Sequence, residues 1–156
     1  MKKLVLLTML MMAMSTFGGC SDKPNVQEIA RDAINGKKGQ LAEWERVAYQ
    51  LILDKKIEAN SSCAITYYYP PETCAYRDAH GNKCTTRTAA ANKLPQYSLI
   101  WIQGIGLRQV LDTGAKSNDA RWAGKKAFCW VDLWEPKRTT TSKSIRKMAI
   151  IRWGRG

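Results

Sequence analysis

Histidine is nearly absent from this sequence, and none of the five cysteines falls in a Cys-x-x-Cys pair. Zinc sites in proteins are usually built from closely spaced cysteines and histidines, so this composition argues against a metal centre. A nucleophilic cysteine needs a base beside it, and His80 is the single imidazole that the chain offers. We therefore expect no metal and no cofactor, with a Cys–His nucleophile as a minor alternative.

Long apolar runs are also missing. The longest, residues 4–14, is much shorter than the roughly 20 residues needed to cross a bilayer. It follows Lys2 and Lys3 and precedes a group of small residues, which is the pattern of a secretory signal peptide. The sequence thus predicts export, and no further segment is apolar enough to predict a membrane span.

The end of this signal carries a further motif. Gly18-Gly19-Cys20 resembles the cleavage box of bacterial lipoproteins. That resemblance implies removal of residues 1–19 and attachment of lipid, including palmitate, to the sulfur of Cys20. Ser21 follows the cysteine where an aspartate would imply retention in the inner membrane, so the resemblance implies the periplasmic face of the outer membrane. A plain secretory signal is the alternative.

Acidic residues are scarce: 13 aspartates and glutamates stand against 25 lysines and arginines, for a net charge of +12. A protein this basic attracts polyanions. Because export removes it from nucleic acid, we expect peptidoglycan, lipopolysaccharide or lipid headgroups as its partners. Residues 137–156 contain seven basic side chains and no acid, which indicates a solvated surface or a contact with such anions.

The cysteines that remain after lipidation are even in number, which in an oxidising compartment predicts two disulfides. Three pairings are possible. We favour Cys74–Cys84 across a local loop and Cys63–Cys129 between distant strands.

The hydrophobic pattern changes once along the chain. Apolar residues recur at helical spacing in residues 26–34 and 40–56, which predicts two helices. From Cys63 onward, short β-branched and aromatic runs end at glycine or proline, which predicts a mainly β, α+β fold. The strands expected are residues 64–69, 98–103, 107–111, 127–134 and 148–153. The segments expected are a signal (1–19), a tether (20–25), a helical part (26–62), a β domain (63–136) and a basic C-terminal segment (137–156).

Three stretches of the β domain occur in a recognisable order. Residues 88–95 read Thr-Ala-Ala-Ala-Asn-Lys-Leu-Pro, residues 107–116 read Leu-Arg-Gln-Val-Leu-Asp-Thr-Gly-Ala-Lys, and residues 131–134 read Val-Asp-Leu-Trp. The order resembles the three-aspartate domain of membrane-bound lytic transglycosylase A and of the rare lipoprotein A family. The resemblance covers residues 63–136 and implies a six-stranded double-psi β-barrel.

This resemblance implies a lytic transglycosylase that binds and cleaves the glycan strands of peptidoglycan. A glycosidic oxygen is a poor leaving group until it is protonated, and a partly desolvated carboxyl can keep a proton near neutral pH. In the family, one aspartate acts first as acid and then as base, while a hydroxyl of the muramic acid closes an anhydro ring. We assign that aspartate to Asp112 and its partner to Asp132.

The candidate substrate-binding residues are the neighbours of these motifs: Tyr67, Tyr68, Asn92, Thr113, Gly114 and Lys116. Structural alternatives stay open for each. Asp112 can simply cap a turn, and Asp132 can be a buried carboxylate bonded to backbone amides. Tyr67 and Tyr68 alternate on a strand, so one of them is expected in the core.

Two other functions remain open. Alanines occupy positions 90 and 91, where the family places a polar residue before Leu-Pro. This favours a non-catalytic wall-binding lipoprotein, or an accessory of a secretion or conjugation apparatus in a larger envelope complex. An exclusion or inhibitor lipoprotein that binds another protein is the third possibility.

Overall fold

The computed structural model describes residues 24–37, 39–70, 77–114, 127–137 and 143–155. The predicted signal, the lipidated Cys20 and the candidates Cys74 and Lys116 lie outside these ranges. Within the described residues, no helix has the length and apolar character that crossing a membrane requires.

Two helices precede the β-structure, as the sequence predicted. Helix α1 (Val26–Gly36) begins where the Asn25 side chain accepts a hydrogen bond from the backbone N–H of Glu28. Helix α2 (Glu43–Asp54) begins where the Glu45 side chain accepts the backbone N–H of Ala42. These caps satisfy N–H groups that have no partner within the first turn of a helix.

Six strands form a closed ring in the order β1-β5-β2-β4-β3-β6. Strands β1 and β5 are parallel, as are β2 and β4, and the other four neighbouring pairs are antiparallel. The mainly β fold with two helices is thereby confirmed. The strand bounds are β1 (Ser61–Tyr68), β2 (Thr88–Ala90), β3 (Leu99–Ile102), β4 (Gly106–Asp112), β5 (Cys129–Trp134) and β6 (Ser144–Arg152).

Strand β2 was not predicted, because Thr88 followed by two alanines is too short and too weak a β-branched signal. Strand β6 pairs with both β1 and β3 and closes the ring. The barrel therefore continues past the expected boundary at residue 136, as far as Arg152.

The barrel has an apolar interior and one outer side covered by the helices. Alternate strand residues fill the interior, among them Ile65, Ile100, Val110, Val131 and Leu133. Residues of the opposite parity on β3, β4 and β6 pack against α1 and α2, and these include Leu99, Trp101 and Leu107. The remaining outer side, over β1, β5 and β2, carries the candidate site.

The prediction of two disulfides is wrong for the cysteines that the structure describes. Cys63 and Cys129 lie opposite each other on β1 and β5, as the favoured pairing required, yet no disulfide joins them. Both side chains are buried in the barrel interior, and burial raises the pKa of the Cys63 thiol. A buried thiol is a poor nucleophile and packs as a small apolar group. Cys84 is also a buried thiol, and its expected partner Cys74 lies outside the described residues.

Barrel stability depends on this interior. Replacing Ile100, which is fully buried, by alanine is expected to lower the free energy of unfolding by about 2–5 kcal/mol through lost contacts and a residual cavity. The matched control is Ile145→Ala on β6, which is 45% exposed and should change stability by less than about 0.5 kcal/mol. Urea denaturation measures both. Equal losses for the two variants would contradict this account of the core.

Candidate functional site

The two candidate aspartates lie on one outer face of the barrel. Ala90 on β2 pairs with Asp132 of β5 on one side and with Asp112 of β4 on the other. Paired residues of adjacent strands point to the same face of a sheet, and the interior face is already filled by Val131, Leu133 and Val110. Two strand spacings separate the aspartate Cα atoms, or about 10 Å.

A register shift brings Asp112 to this face. Ala89 pairs with Val110, but the next residue, Ala90, pairs with Asp112 and skips Leu111. Without the shift, Asp112 would have the same orientation as Val110 and point into the apolar interior, because strand side chains alternate with a period of two. β-Bulges of this kind commonly redirect one side chain.

Asp132 is held by a short relay of hydrogen bonds. The indole Nε1–H of Trp130 donates to Thr66 Oγ1 at 2.6 Å, and the Thr66 hydroxyl donates to Asp132 Oδ1 at 2.7 Å. Because the indole donates to the Thr66 oxygen, the hydroxyl hydrogen is free to point at the carboxyl. Trp130 is buried, as expected for a core tryptophan, and it orients the site without facing solvent.

The environment of Asp132 favours its protonated form. Burial raises the pKa of Asp132 to about 6, and the nearby Asp112 charge also raises it. The Thr66 hydrogen bond and the Lys143 charge act in the opposite direction without cancelling the effect of burial. The raised pKa therefore belongs to Asp132, whereas the sequence assigned the acid role to Asp112.

Asp112 accepts hydrogen bonds on both carboxyl oxygens. The backbone N–H of Thr113 donates to Oδ1 at 2.8 Å, and the Tyr68 hydroxyl donates to Oδ2 at 3.2 Å. Two donors suit an ionised carboxylate, which can only accept. Burial and the Asp112 charge raise the pKa of Tyr68, so its hydroxyl keeps the donor hydrogen.

The tyrosine pair divides as the alternation predicted. Tyr67 packs against the barrel interior. Tyr68 lies on the outer side against Cys84 and Trp134 and is half-buried there. Its position makes Tyr68 a positioning residue for Asp112, while Tyr67 serves the core.

The remaining candidates surround the row formed by Asp132, Ala90 and Asp112. Thr113 is exposed beside Asp112. A Cβ atom on Gly114 would lie 2.4 Å from a Trp130 ring carbon, so a glycine is required for Trp130 to pack there. Asn92 is half-buried, and its Nδ2 is buried with no hydrogen-bond partner among the described residues. This donor lies close to the end of β2 but is covered by the protein.

Thr66 and Trp130 are the functional residues that sequence reasoning missed. Both have the parity of Asp132 on their strands, and that alternation was the available signal. In the described part of the chain, no group of three or more His, Cys, Asp or Glu side chains is arranged to hold a metal ion.

The geometry supports acid–base chemistry with two carboxyl groups. One carboxyl has a pKa raised to about 6, and the other accepts hydrogen bonds from two donors, on the same surface. A comparable division between an acid and a charged partner underlies glycoside cleavage, where carboxyl separations of about 5–9.5 Å are used. Comparison of the chain with protein-family models, curated proteins and solved structures found no match. Function is therefore inferred from the side chains around Asp112 and Asp132.

Ionisation of Asp132 should cost stability. Its pKa is higher in the folded chain than the ordinary 3.8, so its stabilising contribution is complete below pH 3.8 and is lost as the pH rises through about 6. Asp132→Asn keeps an oxygen that accepts from Thr66 but cannot ionise. The melting temperature of the variant relative to wild type is expected to increase between pH 4 and pH 7.

The control for this measurement is Asp54→Asn on α2, because Asp54 is exposed. Its melting temperature relative to wild type should not show this rise. A difference between Asp132→Asn and wild type that stays constant from pH 4 to pH 7 would contradict the raised pKa.

Proposed function

We propose that this chain binds peptidoglycan and cleaves its glycan strands as a lytic transglycosylase. The observation that carries the proposal is the row across β5, β2 and β4. In this row Asp132, whose pKa is raised to about 6, and Asp112, which accepts two hydrogen bonds, lie on one surface on either side of the small Ala90. The net charge of +12 favours binding to the anionic cell wall.

The strand order supports a double-psi β-barrel as the framework. Two parallel pairs within an otherwise antiparallel ring of six strands agree with the fold that the sequence resemblance implies. In the same proposal, residues 1–19 are a signal peptide and Cys20 carries lipid. The barrel is then anchored at the periplasmic face of the outer membrane.

In the proposed mechanism, Asp132 donates its proton to the glycosidic oxygen as the bond from that oxygen to the anomeric carbon breaks. The Asp112 carboxylate stabilises the positive charge that develops on the sugar. A hydroxyl of the same muramoyl residue attacks the anomeric carbon, and its proton passes to Asp112. The products are an anhydro sugar and a glycan end with a free hydroxyl. Exchange with solvent then removes the proton from Asp112 and returns one to Asp132.

This division of roles differs from the single-aspartate route of the resembled family. Asp112 already accepts from Thr113 and Tyr68, which suits a charged carboxylate better than a proton donor. The partly buried Asp132 suits the initial acid.

Cleavage is tested with purified sacculi. The wild-type domain is expected to release anhydro-muropeptides, which mass spectrometry detects. Asp112→Asn and Asp132→Asn should each lower the rate by about 10²–10⁴-fold, the usual contribution of a placed acid or base. Asp54→Asn is the control and should retain the rate. Sacculi left intact by the wild type, or rates unchanged in both site variants, would refute the cleavage proposal.

The pH profile of cleavage follows from the acid role of Asp132. Since the protonated form is the active one, kcat/KM is expected to fall tenfold per pH unit once the pH exceeds about 6. The rate of release from soluble glycan chains between pH 4.5 and pH 8 measures this. A rate that rises steadily to pH 8 would show that Asp132 does not act as the acid.

The second candidate is a non-catalytic wall-binding lipoprotein on the same barrel, including an accessory of a secretion or conjugation complex. The bonding of both Asp112 oxygens within the protein favours it, because such a carboxylate is also an ordinary structural feature. Sacculi that are bound but not cleaved, together with unchanged binding by Asp112→Asn, would select this candidate.

A further inference from the structure

A second group of charged side chains lies where α2 meets the barrel. Trp44 of α2 and Arg87, directly before β2, both line two neighbouring cavities of about 380 and 390 Å³. Arg152 of β6 and Gln109 of β4 line the first cavity. Gln109 pairs with Thr88, two residues before Ala90 on β2, so this first cavity lies one step along the same strands from the aspartate row.

Arg87 is held in position without a salt bridge in the described part of the chain. Its guanidinium lies 4.4 Å from the centre of the Trp44 ring and donates a hydrogen bond to Gln109 Oε1. Its Nε is buried and has no hydrogen-bond partner among the described residues. Burial lowers the pKa of Arg87, and the positive charge of Arg152 lowers it further.

Two guanidinium groups therefore line one cavity, and Glu43 is the acidic residue that lines it with them. In the described ranges, neither Arg87 nor Arg152 forms an ion pair. The nearby acids also make other bonds: Glu43 pairs with Arg46, and Glu45 caps α2 at Ala42. The charge of Glu45 raises the pKa of Arg87 and so offsets part of the effect of burial and of Arg152. Adjacent like charges that protein acids compensate only in part are stabilised when an anion binds between them.

Aromatic surface continues from Arg152. A third cavity of about 370 Å³ is lined by Arg152, Arg155, Tyr97 and Trp153. Tyr97 is 42% exposed and Trp153 is 51% exposed, which is unusual for such large rings. A ring beside a guanidinium suits a ligand that carries both a flat apolar face and an anionic group.

We propose that Arg87 and Arg152 bind a carboxylate on a peptide branch of a cell-wall glycan, while Tyr97 and Trp153 pack against a neighbouring sugar ring. The planar guanidinium matches a carboxylate with two parallel hydrogen bonds. The identity of this ligand rests on the function proposed above. The site would bind the peptide branch next to the row of Asp132, Ala90 and Asp112, where the glycan is cleaved in the proposed mechanism.

Calorimetry measures the binding of a disaccharide–tripeptide fragment of peptidoglycan to the full chain without its predicted signal peptide. Amidation of the fragment's carboxylates is expected to lower the affinity by about tenfold or more, the usual effect of losing a charge-assisted hydrogen bond. Arg152→Gln should cause a similar loss. Arg146→Gln is the matched control. Arg146 is exposed on the same strand as Arg152, and its replacement removes the same charge. It should change the affinity less than twofold.

Arg87→Gln is the second variant, with circular dichroism to check folding because Arg87 packs on Trp44. It should lower the affinity as Arg152→Gln does. Equal losses in Arg146→Gln and Arg152→Gln would overturn the site in favour of general charge attraction. A single-stranded DNA oligonucleotide that binds as tightly as the fragment would overturn the glycan assignment.

The binding site and the cleavage proposal can be tested independently of each other. Asp54→Asn, the exposed control on α2, is expected to bind the fragment as wild type does. A wild-type chain that binds the fragment through Arg87 and Arg152 but leaves sacculi uncut supports the site and refutes cleavage. A chain that cuts sacculi but does not bind the fragment overturns the site alone.

Discussion

The register of the short strand β2 is the constraint on which the candidate site depends. Ala90 has to pair with Asp132 on one edge and Asp112 on the other, and the skipped Leu111 turns Asp112 away from the apolar interior. Because the side chain of Ala90 is small, it does not cover either of the two carboxyl groups beside it. If β2 slipped by one residue, its pairing with both neighbours would change together.

Burial and hydrogen bonding then give the two carboxyl groups different properties. Asp132 is partly buried, and the hydrogen bond from Thr66 does not offset the cost that burial adds to its ionisation. Asp112 receives two donors, one from its own chain and one from Tyr68. In a chain of strong positive charge, the two carboxyl groups lie close enough for the Asp112 charge to affect Asp132. Two carboxyl groups in different environments are the arrangement from which acid and base roles usually arise.

Much of the framework was predictable, because it depends on local patterns. Helical spacing gave α1 and α2, β-branched runs gave five of the six strands, and alternation separated Tyr67 from Tyr68. Strand β2 escaped because its three small residues gain stability only from neighbours on both sides. The relay from Trp130 through Thr66 to Asp132 escaped because it joins strands 64 residues apart. Cys63 and Cys129 were correctly predicted to lie on neighbouring strands, but no disulfide joins these two buried residues.

The most direct test of the central claim is a titration of the Asp132 carboxyl by carbon NMR between pH 3 and pH 8. The account predicts a midpoint near 6, and a lower midpoint in the Asp112→Asn variant because a neighbouring negative charge is gone. A midpoint near the ordinary value of 3.8 would contradict the claim that this surface holds a proton ready for transfer.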